Sequence, residues 1–247
     1  MKLYKRISVL MSMGIMGIGL ISFSTVSRAA SLTPTAGTET VVETPGSNID
    51  RSTAVTEKHD DPTPTPTLTP TPEPNYLLKN SDPKVKDLVN AYLAAKLSCT
   101  QEAFEGIVTD TSFINIETLM IQTETVLSYD LLDCYTKKGY SPIDYVVYYT
   151  YNMNIATLSS PVLAIDSLYV KVDDNGDYKV FLGRLDDDVE NKLEILAQDE
   201  DVQDVLKETK DSISKAMDED ETLLQYWQRL YEKLGIKFDS ETKTVVE

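Results

Sequence analysis

The chain has 247 residues and carries 40 Asp and Glu against 23 Lys and Arg, a formal net charge of −17. That balance argues against nucleic acid and anionic lipid as partners, because both demand basic patches. One histidine and two cysteines leave few ligands for zinc and little scope for a histidine-activated nucleophile.

The first element is a leader. Lys2, Lys5 and Arg6 precede an apolar run of 17 residues, Ile7–Phe23, and Ser27 and Ala29 offer small residues for a cleavage site. The run is at the short limit for crossing a bilayer. Residues 1–30 therefore read as an export signal, either cleaved or kept as a membrane anchor. No cysteine lies near the leader, which excludes lipoprotein attachment. Membrane contact is expected only through this segment.

Residues 31–75 hold eight of the eleven prolines and no aromatic residue. Such a stretch cannot bury enough apolar surface to offset its ordering entropy. Its Thr-Pro alternation, residues 62–74, favours a polyproline II rod of roughly 40 Å. The expected role is to hold a folded domain away from a membrane or wall. His59 lies in this spacer, so no histidine follows it in the domain.

From Tyr76 onward 172 residues remain, enough for one well-buried domain. Asp82 is placed to cap a helix with Pro83 at its first position, and Val85, Leu88, Val89, Tyr92 and Leu93 share one helical face. Thr100 is expected to cap a second helix carrying Phe104, Ile107 and Val108. A third helix is expected near 113–127.

The period then changes to two. "YDLLDCYT" (129–136) reads as a strand, and "IDYVVYYTYNMNI" as a long one with Tyr145, Val147, Tyr149, Tyr151, Met153 and Ile155 on its packed face. "LYVKVDDNGDYKVFLG" is a hairpin. A three-residue loop, Asp174-Asn175-Gly176, pairs Val172 with Tyr178, Val170 with Val180 and Leu168 with Leu182, so apolar partners share a face. From Asp186 to Lys233, sixteen acidic residues face six basic ones. Three amphipathic helices are expected there, the last ending at Gly235. The resulting fold class is α+β: N-terminal helices on a bent antiparallel sheet, then acidic C-terminal helices. Residues 76–185 form the α+β domain, 186–235 its acidic helical extension and 236–247 a tail.

Tempting motifs fail on chemistry. With Asp173 at the first position of a calcium loop, Tyr178 falls where glycine is needed and Arg184 where a bidentate glutamate is needed. "SISK" (Ser212 to Lys215) lacks the companion elements of penicillin-recognising serine enzymes. No metal site, phosphate loop or cofactor is expected. Asp144, Tyr148 and Asn152 are spaced for one sheet face, with Asp166 nearby in sequence. These four are the candidate pocket residues, since a desolvated carboxyl beside a tyrosine can do acid–base work. The reading that competes with it is a solvated or helix-covered polar face. Cys99 and Cys134 permit a disulfide, given export, but the preferred reading is two buried thiols.

The segments "YTKKG", "VYYTYNMNI", "DSLYVKVDDNGDYKV" and the acidic stretch beginning "LDDDVENKLEILAQDEDVQ" resemble uncharacterised exported proteins of Gram-positive anaerobes. Those have a cone-shaped domain resembling the fold named after nuclear transport factor two. The resemblance implies helices packed into a strongly bent sheet, and it carries no catalytic residues to transfer. The expectation is a secreted or membrane-anchored, non-catalytic binding or scaffold module at the cell envelope. Its partner, an envelope protein or a ligand, is left open. The alternative is a small-molecule-binding protein or enzyme using the interior of a cone.

Overall fold

The computed structural model describes residues 74–246. The leader and all but the last two positions of the spacer lie outside the described residues. The elements, in chain order, are β1 (Leu78–Lys79), α1 (Pro83–Ser98), α2 (Ile116–Thr123), β2 (Val126–Lys138), β3 (Tyr145–Ile155), β4 (Val162–Val172), β5 (Tyr178–Val180), α3 (Asp187–Ala197), α4 (Glu200–Glu219), α5 (Glu221–Lys233), β6 (Lys237–Asp239) and β7 (Thr244–Val246). The fold is α+β. Strands β1 to β5 make one antiparallel sheet in chain order, and β6 and β7 form a separate pair.

Helix α1 starts where its chemistry places it. The Asp82 carboxylate accepts from the backbone N–H groups of Lys84 and Val85, satisfying two of the donors a helix start leaves free. Its apolar stripe is buried and lies against β2. The expected second helix does not form. Thr100 Oγ1 accepts from Ala103 N, but only one 3-10 turn, Glu102–Phe104, follows. Residues 107–109 instead run beside β5: Val180 N donates to Ile107 O, and Thr109 N donates to Val180 O. The third expected helix shortens to α2, capped by Asn115, because the chain is already paired with β3 at Val126.

Strand β3 needs a larger correction. Its odd-numbered residues join the main core with α1, α2 and α5 residues, as the alternation implies. Its other face is packed as well. Val146 and Tyr148 form a second core with Tyr169, Val189, Leu193, Leu196 and Val202, beneath α3 and the start of α4. Alternation marks the apolar face, but it cannot show that a tyrosine on the polar face is roofed by a helix 40 residues later.

The hairpin has the expected register. Val172 pairs with Tyr178, Lys171 with Lys179 and Val170 with Val180. Gly176 has φ +83°, the left-handed conformation this loop requires. Strand β5 ends at Val180, but Phe181 N still donates to Tyr169 O at 2.7 Å, and the Leu168 and Leu182 side chains both reach the main core.

The acidic helices α3, α4 and α5 form as read. Val202 and Leu206 of α4 pack on the second core, while Ile213 and Met217 pack on the first. One helix thus ties the two faces together as it passes β4 beyond the end of short β5. The segment read as a tail is folded. β6 and β7 pair, and Phe238 stacks on Tyr231 with ring centroids 5.2 Å apart. Two register shifts in β2 set Leu127 and Leu132 out of the ladder, and both side chains are exposed.

Candidate functional site

The four sequence candidates do not form one group. Asp144 lies just before β3, and its carboxylate accepts a hydrogen bond from the Tyr169 hydroxyl at 2.7 Å. Gly139 permits that contact: a Cβ there would lie 2.9 Å from the Tyr169 ring. Tyr148 is 2% exposed in the second core. Burial, with Asp199 and Asp201 nearby, raises its pKa. Asn152 is half-buried farther along the same face, opposite Leu163 and Asp130. Asp166 pairs with Tyr149, which places it on the opposite face of the sheet.

There Asp166 is the centre of a second constellation. The Tyr151 hydroxyl donates to Asp166 Oδ2 at 2.9 Å. Ala164, paired with Tyr151, leaves room beside that ring. Lys96 Nζ reaches in from α1 and lies 3.8 Å from Asp166 Oδ2, an ion pair too long for a hydrogen bond. Both side chains are almost completely buried. The Lys96 ammonium also stands 5.6 Å from the centre of the Tyr129 ring. Tyr149 stacks on Tyr151, and its hydroxyl lies close enough to Asp166 to favour the carboxylate. Neither Lys96 Nζ nor Tyr149 Oη has a hydrogen-bond partner.

The electrostatics follow from this burial. Desolvation pushes the Asp166 carboxyl up to about 6, although Lys96 and the Tyr151 and Tyr149 hydroxyls all favour its ionised form. Desolvation likewise lowers the pKa of Lys96, opposed by Asp166. Tyr92 and Tyr231 also sit within electrostatic reach of the carboxylate, and burial raises both. Burial thus disfavours the charged form of both groups, while their attraction for each other favours it.

Sequence reasoning missed Lys96 because a charge at the end of a helix reads as solvated. A signal was present. Lys96 continues the buried stripe at spacing 85, 89, 92 and 96, and Asp166 interrupts the alternation of Ala164, Leu168 and Val170 on one face.

A different charged cluster fastens the domain's beginning. Lys137, 2% exposed, donates to Asp201 Oδ1 at 2.6 Å and lies 2.9 Å from Asp199 Oδ2. Asp201 also accepts from Leu77 N at 2.7 Å. Asp199 stands at the N-cap of α4, but its side chain makes no cap bond and serves Lys137 instead. Asn75 makes two hydrogen bonds to the Lys138 backbone. The chain leaving the spacer is therefore pinned from Asn75 to Asn80, where Asn80 bonds Cys134 and Asp133.

Both cysteines are free thiols. Cys99 Sγ lies 3.0 Å from Thr123 Oγ1, and burial pushes the Cys134 thiol up to about 11. Asp173 Oδ1 accepts from the N–H groups of Asn175 and Asp177, so that carboxylate holds its own turn. Ser212 donates to Glu208 O one turn back, and Lys215 pairs with Glu219, which makes "SISK" part of a helix surface. Among the described residues no group of three or more His, Cys, Asp or Glu is placed to hold a metal. Among them, too, no helix is long and apolar enough to cross a membrane. Comparison with protein-family models, with curated proteins and with solved structures found no match.

Proposed function

We propose that this protein is an extracytoplasmic, non-catalytic binding or scaffold module, carried on a Thr/Pro-rich stalk at the cell envelope. The observation that carries the reading is the fate of Asp144 and Tyr148. Asp144 is occupied by Tyr169, and Tyr148 is sealed beneath α3, so the face offered by the sequence as a pocket is a packed helix–sheet interface. The pinned segment from Asn75 to Asn80 supports a stalk that ends at a defined point of the domain. The proposed shape is a cone of the kind found in proteins resembling nuclear transport factor two. The two irregularities of β2 support it, because bulges sharpen the twist and bend of a strand.

The alternative, a small-molecule-binding protein or enzyme using the interior of the cone, has one observation in its favour: the buried Lys96–Asp166 constellation. The exported reading is tested by fusing residues 1–75 to a reporter enzyme that becomes active only outside the cytoplasm. Activity of the fusion supports it. An inactive, fully expressed fusion overturns it.

A further inference from the structure

Lys96 and Asp166 form the most enclosed ion pair among the described residues, and its geometry is poor. Their side chains are 3% and 4% exposed, against 36% for Asp201 in the Lys137 cluster. Lys96 Nζ lies 3.8 Å from Asp166 Oδ2 and has no hydrogen-bond partner. An ammonium so placed has neither water nor close bonds to replace water, and holding a charge in such surroundings is costly. Passing one proton from Lys96 to Asp166 turns the ion pair into a neutral amine beside a neutral acid. That transfer, within a contact the structure shows, removes both buried charges.

The carboxyl is also held in place for attack. The Tyr151 hydroxyl donates to Asp166 Oδ2 at 2.9 Å. Tyr149 pairs with Asp166 across the β3–β4 ladder, so it stands on the same face, and its buried hydroxyl is unpartnered. Fixed donors of this kind stabilise charge that develops on a carbonyl oxygen. Helix α1 and strand β4 hold the nitrogen and the carboxyl side by side, and reactants fixed in attack geometry reach effective concentrations of about 10⁵–10⁸ M. Both reactants are side chains of the fold, so nothing has to enter from outside.

We propose that Lys96 and Asp166 are a self-modification site, which condenses after folding to an amide bond joining α1 to β4. The ammonium first gives one proton to the carboxylate. The amine lone pair then adds to Asp166 Cγ, and the Tyr151 hydroxyl steadies the oxygen that takes up the displaced electron pair. That pair returns, the C–OH bond breaks, and the hydroxyl leaves as water with a proton from the nitrogen. One C–N bond has formed and one C–O bond has broken; nothing is oxidised or reduced. Until then the two groups titrate as free side chains. The product buries one neutral amide in place of two charges and ties the first helix after the spacer to the central sheet. The proposal goes beyond the display of the domain and does not depend on where the protein resides.

The test uses the full chain, left folded at neutral pH for several days, with a second portion kept unfolded in urea. Intact mass and peptide mass mapping are read from both. The folded portion should lose the mass of one water, and its digest should contain a branched peptide joining Lys96 to Asp166. The unfolded portion should keep the full mass. Lys137 and Asp201 should stay unlinked although they are closer, at 2.6 Å, because Asp201 is open to water. The variant Lys96→Met should keep the full mass. An unchanged mass in the folded portion overturns the proposal, as does a loss of water that maps to any other pair of residues. Both readings come from the unaltered protein, so they stand even where the variant folds poorly.

Discussion

Replacing Lys137 by Met removes one ammonium and retains most of its apolar stem. The ammonium makes a charge-assisted hydrogen bond to Asp201 and a close ion pair with Asp199, both from a nearly inaccessible position. Such bonds contribute about 1.5–3 kcal/mol each where both partners are buried. Here the two carboxylates are 36% and 40% exposed, so water recovers part of the loss once lysine is gone. Asp199 also becomes free to cap α4, which returns about 0.5–1 kcal/mol. The net cost should be about 2 kcal/mol, or roughly 4–8 °C in melting temperature for a domain of this size. Denaturant unfolding at neutral pH measures it. The pH dependence gives a second handle. Burial opposes ionisation of Asp201, but the bonds from Lys137 and Leu77 N outweigh it and hold the carboxyl below its ordinary range. With the folded pKa depressed, this stabilisation is present above the unfolded value of about 3.9 and is lost as the pH falls through the folded one. The gap between wild type and variant should therefore narrow below about pH 4. A loss under about 0.5 kcal/mol at neutral pH would refute the reasoning, because it would mean that the contact is an ordinary surface pair.

Asp166 should show the opposite sign. Its folded pKa, about 6, lies above the unfolded value, so the folded state retains a proton that the unfolded state has lost. Its contribution to stability therefore falls as the pH rises from about 4 to about 6, and Asp166→Asn should remove that slope from unfolding curves taken across the window. Identical slopes in the two proteins would count against a titrating Asp166. Protein prepared without reductant and then denatured should react with two equivalents of a thiol reagent, from Cys99 and Cys134; zero equivalents would mean a disulfide. Gly176→Ala should cost about 1 kcal/mol through backbone strain alone, since a Cβ there meets nothing within 4 Å. A loss of several kcal/mol would show that the turn is packed against something.

Local patterns were legible where local physics decides. Asp82 and Pro83 start α1, and the apolar alternation across "DDNGD" selects the register of the β4–β5 hairpin. The stripes of the acidic helices give α3, α4 and α5. Reading failed where a distant segment overrides a local preference. Residues 107–109 abandon a helical pattern because β5 offers backbone partners. Residues 237–246, too short to announce themselves, fold because Phe238 finds Tyr231. The candidate site failed for a related reason. Proximity in sequence groups Asp166 with Tyr148, but the register sets it opposite Tyr149, and a one-residue difference moves a side chain through the sheet. Lys96 has the helical spacing of the buried stripe, a signal that its charge masks.

The display of a folded domain on a protease-sensitive stalk outside the cell is tested most directly by adding protease to intact cells that produce the protein. The spacer should be cut, and a resistant fragment beginning between Pro74 and Leu77 should appear in the medium. The pinning of Asn75 and Leu77 to the domain sets that boundary. A fragment that appears only after the cells are lysed would contradict the account.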